Sequence, residues 1–190
     1  AADRYGCQII NISMGTTQDS QKLRQAVEYA QSRGILLISA VGNDGQTAPE
    51  RVYYPAAYDG VIGVGAADGE GAAPFSQRHG VDVLAPGTDL AVATNRNSSS
   101  PQQRSGTSYA CAVVSGICAR IWMREPELTA DEVKQRLFDM ARDVEEPGFD
   151  GDSGWGIVEP LEDAPQRTGA YSAVRGAVSV ALMAALLSLR

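Results

Sequence analysis

The sequence is poor in the residues that bind metals and form disulfides. Its 190 residues include one histidine, His79, and three cysteines, none of them in a Cys-x-x-Cys pair. An odd number of cysteines cannot complete a disulfide framework, and no cysteine or histidine cluster has metal-ligand spacing. Cys111 and Cys118 would lie about 10 Å apart along one helix, too far to bridge each other. We therefore predict no metal site from these residues and a core-packing role for the cysteines.

Positive charge and leader-like segments are also lacking. Lysine and arginine number 16 against 23 aspartate and glutamate residues, which gives a net charge of -7, and no run of like charges occurs. Nucleic-acid binding requires a basic surface, so no nucleic-acid partner is expected. No charged and then apolar leader precedes the body of this sequence, so a signal peptide is neither shown nor excluded. Because 44% of the residues are hydrophobic, the chain can form one domain with a sizeable core.

The stretch from 105 to 122 is the most informative part of the chain. It begins as a polar turn, Ser-Gly-Thr-Ser, and continues into a segment that is apolar on every side, which is typical of a helix inside a core. Ser108 is expected in the first turn, where unpaired N–H groups and the helix dipole favour a developing negative charge. An attacking serine creates such a charge on its acyl partner. The alternative is that the Thr-Ser pair only caps the helix.

Four short apolar runs have the composition of buried strands: 7–15, 35–41, 61–66 and 81–84. Helical spacing of Leu23, Ala26, Val27 and Ala30 predicts a helix over about 19–32 between the first two, with Gly34 as its C-terminal stop. The order strand, helix, strand favours a parallel sheet. We therefore predict an α/β fold, with a mostly parallel sheet flanked by helices on both faces.

The second half of the chain supplies fewer elements. Residues 89–105 are polar and serine-rich, which predicts a surface excursion. Thr129 and Glu132 form a capping box that opens a helix to about Arg142. The run 154–158 is interpreted as a closing strand.

The composition changes from Pro165 onward, through a linker of small and polar residues into an apolar tail. The 14 uncharged residues 176–189 would span about 21 Å as a helix, less than the roughly 30 Å of a bilayer core. Counting back to Tyr171 lengthens the span, with Arg175 close enough to one end to snorkel. Membrane contact through 171–189, a packing helix and a disordered tail all stay open.

Five sequence blocks share the order and spacing of a known family. They are residues 11–15 (Asn-Ile-Ser-Met-Gly), 40–45 (Ala-Val-Gly-Asn-Asp-Gly), 54–58 (Tyr-Pro-Ala-Ala-Tyr), 83–87 (Val-Leu-Ala-Pro-Gly) and 106–108 (Gly-Thr-Ser). Together they resemble the subtilisin-like serine proteases, or subtilases. The resemblance implies a subtilisin-like fold, with residues 1–164 as the C-terminal portion of a catalytic domain and 165–190 as a linker and apolar tail.

The resemblance also implies roles for individual residues. Ser108 becomes the nucleophile, and the Asn43 side-chain amide becomes an oxyanion-hole donor beside the backbone N–H of Ser108, with Thr107 as a weaker donor. Tyr53 falls at the floor of the primary specificity pocket, which a phenol would shorten, and Pro55 falls at a position that is often a cis proline. The edges that bind a peptide substrate as an added strand would be Ser13, Met14, Gly15, Ala40, Val41 and Gly42.

Three features depart from the family pattern. Ala112 stands where subtilases usually have proline. No Asp-Thr-Gly or His-Gly-Thr block is present, so the catalytic aspartate and histidine are expected on a missing upstream segment, and the sheet is expected to be incomplete at its N-terminal side with an open strand edge. His79 lies in a loop that the family uses for structure. Because a serine without a base is a poor nucleophile, this chain alone is expected to be inactive.

The leading hypothesis is a serine endopeptidase that acts on peptide or protein substrates. The alternative is a non-catalytic, peptide-binding pseudopeptidase. An α/β-hydrolase is disfavoured, because its Gly-x-Ser-x-Gly elbow would need glycine where Ala110 stands. The resemblance further implies a secreted or membrane-anchored extracellular location. Many subtilases bind calcium, but no loop here has a convincing ligand pattern, and no other cofactor is expected.

Overall fold

A computed structural model describes residues 2–92, 101–159 and 180–182 of the chain. The helices in these ranges are α1 (Ala2–Tyr5), α2 (Gln21–Ser32), α3 (Thr107–Arg124) and α4 (Ala130–Asp139). The strands are β1 (Ile9–Ile12), β2 (Leu36–Ala40), β3 (Ile62–Asp68), β4 (Gly71–Ala72), β5 (Val83–Pro86), β6 (Leu90–Val92), β7 (Gln102–Arg104) and β8 (Val180–Leu182).

The central sheet runs in the order β4-β3-β2-β1-β8, and β5 also pairs with β3. The pairs β1–β2, β2–β3, β3–β5 and β1–β8 are parallel, and only the short β3–β4 hairpin within this sheet is antiparallel. The prediction of a mostly parallel sheet is confirmed. The strands β6 and β7 form a separate antiparallel pair within the predicted surface excursion, of which residues 93–100 lie outside the described ranges.

Helices cover both faces of this sheet, as predicted. Side chains alternate along each strand, so Ile9 and Ile38 pack in the core cluster that contains α3, while Ile10 and Leu37 pack in the cluster that contains α2. Full burial of one such side chain contributes about 1.5–3 kcal/mol. This two-sided burial explains why β1 and β2 are apolar runs rather than alternating ones.

Helix α3 lies in the core, as its uninterrupted apolar sequence predicts. Its N-cap is Gly106 and makes no side-chain capping bond, so Ser108 is the second residue of the helix and not its cap. Cys111 and Cys118 are buried and unpaired, and burial raises the pKa of each thiol to about 12. They are neutral core residues, as predicted. Ala112 is exposed on an unbroken helix.

Several predicted boundaries shift. Helix α2 begins at Gln21 rather than near Asp19 and leaves Ala26 exposed, while Gly34 ends this region with a φ of 71°. Helix α4 has the predicted capping box of Thr129 and Glu132 but ends at Asp139, before Arg142.

The closing strand predicted over 154–158 is wrong. Ile157 makes only isolated bridges to Leu84 and Arg142. The reason is backbone geometry: Gly154 and Gly156 have φ values of 64° and 109°, which an extended strand does not contain.

The sequence predicts an open strand edge without naming the strand; in this structure the outer edge of β1 is paired. Strand β8 lies parallel to it, with Ile9 opposite Val180 and Asn11 opposite Leu182. The rest of the predicted tail segment 171–189 lies outside the described residues. None of the helices within the described ranges combines the length and the apolarity that a membrane crossing requires.

Candidate active site

The carboxyl ends of β1 and β2 meet the amino end of α3 around one cavity of about 180 Å³. Parallel strands end at the same edge of a sheet, which is where α/β proteins commonly bind ligands. The residues that line the cavity are Met14, Gly15, Ala40, Gly42, Asn43, Asp44, Tyr53, Thr107 and Ser108. Six of the eight site residues predicted from sequence therefore share one cavity. Val41 is buried behind it, and Ser13 contacts Ser108 from the side.

Ser108 is partly buried and is joined to Ser13 by two reciprocal hydrogen bonds. The Ser108 hydroxyl donates to the Ser13 carbonyl oxygen at 3.0 Å, and the Ser13 hydroxyl donates to the Ser108 carbonyl oxygen at 2.9 Å. The backbone N–H of Ser108 has no acceptor among the described residues. The first turn of α3 therefore offers an unpaired donor beside a serine hydroxyl.

The Asn43 carboxamide has one orientation that satisfies its neighbours. Its Oδ1 accepts the Thr107 backbone N–H at 2.9 Å and lies 3.1 Å from the Thr107 hydroxyl, which donates to it. The amide NH₂ group must then point away from Thr107, and it has no acceptor in the part of the chain that the structure describes. Gly106, with a φ of 152°, adopts a conformation that favours glycine and lies against this carboxamide. Thr107 thus supports Asn43, and its role as a weaker oxyanion donor stays a prediction.

The Tyr53 ring lies between the two predicted substrate-binding edges. A Cβ atom placed on Gly42 would be 2.5 Å from Tyr53 Cδ2, and one on Gly15 would be 3.2 Å from Tyr53 Cδ1. Any residue larger than glycine at Gly42, where φ is also 108°, would collide with the ring. Tyr53 lines the cavity, and its place at the floor of a specificity pocket stays a prediction.

Tyr53 is held in place by a partly exposed carboxylate of the neighbouring loop. Its hydroxyl donates to Asp44 Oδ2 at 2.6 Å, and Arg51 pairs with the same oxygen. The Tyr53 hydrogen bond, and then the Arg51 guanidinium, lower the pKa of the Asp44 carboxyl. Asp44 is therefore ionised at neutral pH and fixes the phenol over the cavity.

No general base reaches Ser108 within the described residues. His79 is exposed and does not line the cavity. The titratable groups that do line it are Asp44 and Tyr53, which bond to each other rather than to Ser108. Across the described ranges, no group of three or more histidine, cysteine, aspartate or glutamate side chains is placed to hold a metal ion.

Sequence reasoning missed two contributors to this region. Asp44 and Asn11 entered the predictions only as members of the blocks 40–45 and 11–15, yet Asn11 is 2% exposed and bonds to Ser13. A detectable signal was present, since a polar residue at an inward-facing position of an apolar strand must find buried partners.

The described residues form an α/β fold in which a serine hydroxyl lies at the carboxyl ends of parallel strands. The sequence profile described as the Subtilase family (Peptidase_S8) matches residues 1–156. The chain belongs to the subtilase family.

Known relatives and solved structures agree with this assignment. The chain is 36% identical to Subtilisin DY of Bacillus licheniformis over 146 residues, which cover 75% of this chain and 53% of the relative. It is 35% identical to the Minor extracellular protease Epr of Bacillus subtilis (strain 168) over 175 residues, 91% of this chain and 26% of the relative.

Two solved structures are similar in fold. The Prenylagaramide maturation protease PagA superposes with a TM-score of 0.70 at 30% identity, covering 83% of this chain and 61% of that one. A mutant of the protease domain of PatA superposes with a TM-score of 0.69 at 29% identity, covering 83% and 58%. The chain thus spans about a quarter to a half of these two sequence relatives.

Proposed function

We propose that this chain carries the nucleophile and the oxyanion site of a subtilase-type serine endopeptidase. The Ser108 oxygen attacks the carbonyl carbon of a peptide bond, the amine leaves, and water then releases the acyl group from the serine. The observation that carries the proposal is the shared cavity of Ser108 and Asn43, in which the amide NH₂ of Asn43 and the N–H of Ser108 lack acceptors among the described residues. Two such donors match the charge on a tetrahedral oxyanion.

The proposed reaction needs a base to take the proton of Ser108. In the described part of the chain this hydroxyl donates to a backbone carbonyl, which is not a base at neutral pH. We therefore propose that an aspartate and a histidine on a segment outside residues 1–190 complete the site, in the roles that the Asp-His-Ser triad of this family assigns to them.

The 190-residue chain by itself is expected to react slowly with a fluorophosphonate probe. Labelling followed by peptide mass spectrometry measures the rate at Ser108, with the whole protein as the reference. We expect labelling of the isolated chain to be slower by several orders of magnitude, because the serine lacks its base. Rapid labelling of Ser108 without a second polypeptide would refute this requirement.

The proposed substrate is an extended peptide that adds as a strand along the two edges 13–15 and 40–42. Its side chain nearest the scissile bond would enter the cavity of about 180 Å³. Because the Tyr53 ring occupies the space between Gly15 and Gly42, we propose a preference for small side chains at this position.

Replacing Tyr53 with glycine is expected to widen this preference. The measurement is kcat/KM of the whole protein on two peptides that differ only in alanine or phenylalanine before the scissile bond. The ratio should shift toward phenylalanine by about 10- to 200-fold, the range that filling or emptying an apolar pocket supports. Tyr53→Phe is the matched control, since it keeps the ring and loses only the bond to Asp44; it should leave the ratio near its original value. An unchanged ratio in Tyr53→Gly would contradict the proposed pocket.

A peptide-binding pseudopeptidase is the second candidate function. The Ser108 hydroxyl donates to the Ser13 carbonyl oxygen, and this bond and the lack of a base among the described residues favour it. Measurable hydrolysis of casein by the whole protein, lost in Ser108→Ala, would exclude it. In either case we propose an extracellular location, in keeping with the similarity to the Minor extracellular protease Epr. Membrane contact through the apolar run 171–189 and calcium binding, which the resemblance implies, both stay proposals.

A further inference from the structure

Asn11 is a polar side chain in an apolar part of the core. It lies on β1, on the face that carries Ile9 toward α3, and is 2% exposed. An amide in such surroundings costs about 1–3 kcal/mol when it is left without partners. Asn11 lies one residue before the end of β1, within hydrogen-bond distance of Ser13.

Three side chains satisfy this amide. Asn11 Nδ2 donates to Ser13 Oγ at 2.9 Å, and Asn11 Oδ1 lies 2.9 Å from Ser115 Oγ and 3.3 Å from Cys111 Sγ. Cys111 and Ser115 are four residues apart on α3 and therefore face β1 together. The amide bridges the strand end and the buried side of the helix.

The direction of these bonds follows from the Ser13 hydroxyl. Ser13 has one hydrogen, and it is donated to the Ser108 carbonyl oxygen at 2.9 Å. Toward Asn11 the Ser13 oxygen must then accept, so the NH₂ of Asn11 faces Ser13 and its oxygen faces Ser115 and Cys111. A directed path of two hydrogen bonds therefore runs from the Asn11 amide through the Ser13 hydroxyl to the backbone carbonyl of Ser108.

We infer that Asn11 is a positioning residue for the nucleophile, an inference that rests on the proposed function. Its amide fixes the Ser13 hydroxyl, which holds the first turn of α3 against the end of β1. That contact sets where the Ser108 oxygen lies relative to the cavity. Misplacing a nucleophile by about 1 Å can cost on the order of 100-fold in rate.

The test compares Asn11→Leu with Ser115→Ala in the whole protein. Ser115 is also 2% exposed and touches the same amide, but it lies on the side away from Ser13. Both variants should lower the melting temperature. Only Asn11→Leu should lower kcat, by about 10- to 100-fold with KM changed less than about threefold; Ser115→Ala should keep kcat within about twofold. Equal kcat losses in the two variants would overturn the inference.

A double-mutant comparison identifies the path through Ser13. Ser13→Ala should lower kcat to a similar extent, and the combination with Asn11→Leu should lower it little further, because both changes break the same path. Independent, multiplying losses would contradict the path. If Asn11→Leu does not fold, Asn11→Ser replaces it, since its hydroxyl is too short to bridge Ser115 and Ser13.

Hydrogen exchange separates this inference from the proposed function. If the wild-type protein hydrolyses no peptide, the proposed function fails, but amide exchange over residues 106–110 still reports how firmly the first turn of α3 is held. We expect Asn11→Leu to speed exchange there by about tenfold more than Ser115→Ala does. Equal exchange in the two variants would overturn the positioning role.

Discussion

Replacing Ser108 with alanine is expected to remove peptide hydrolysis by the whole protein almost completely. The loss in kcat should be on the order of 10⁶-fold, the magnitude known for losing the serine of a subtilase. The physical reason is that the other hydroxyls lining the cavity in the described part of the chain, those of Thr107 and Tyr53, are bonded to Asn43 and Asp44 respectively. Hydrolysis of a chromogenic peptide measures the rate, and fluorophosphonate labelling of the same samples shows whether the modified residue disappears.

Ser105→Ala is the matched control for this change. Ser105 is exposed three residues earlier, and its hydroxyl accepts the backbone N–H of Asp89 rather than facing the cavity. Activity and labelling should persist in this variant. Hydrolysis that survives in Ser108→Ala at more than about a hundredth of the original rate would rule out the proposed nucleophile.

Replacing Asn43 with alanine is expected to lower kcat by about 10²- to 10³-fold with little change in KM. This is the known magnitude for losing such a donor in a subtilase. The amide bonds a charge that exists only in the transition state, so its loss raises the barrier and leaves ground-state binding nearly unchanged. Steady-state kinetics on one peptide gives the kcat and KM values separately.

The Asn43 prediction also has an internal comparison. Asn43→Asp keeps the size and the acceptor toward Thr107, but it places a negative charge next to the developing oxyanion. It should therefore be at least as inactive as Asn43→Ala. Gln46→Ala, on an exposed residue of the same loop outside the cavity lining, should be unaffected. A rise in KM with unchanged kcat in Asn43→Ala would assign Asn43 to substrate binding instead.

Local patterns predicted the elements that depend on local interactions. The capping box of Thr129 and Glu132 is closed by side-chain and backbone bonds within three residues. Helix α3 was predicted as a core helix because its sequence has no polar face, and its buried residues confirm this. By contrast, the run 154–158 has a strand-like composition but is not a strand. Two of its glycines, Gly154 and Gly156, have positive φ and pack closely against the backbone of Asp82 and Arg142 respectively.

The sequence by itself determined the order of the main elements β1, α2, β2, β3, β5, α3 and α4. It also determined the burial of α3, the family, and the two residues of the proposed chemistry. Tertiary structure alone decided how these parts meet: the Tyr53 ring between Gly15 and Gly42, the orientation of Asn43 against Thr107, and the bonds of Asn11. The physical reason is separation along the chain. Ser13 and Ser108 are 95 residues apart, and Asn11 and Ser115 are 104 apart. Contacts of that range follow from how the sheet and the helices pack, which no local pattern of residues encodes.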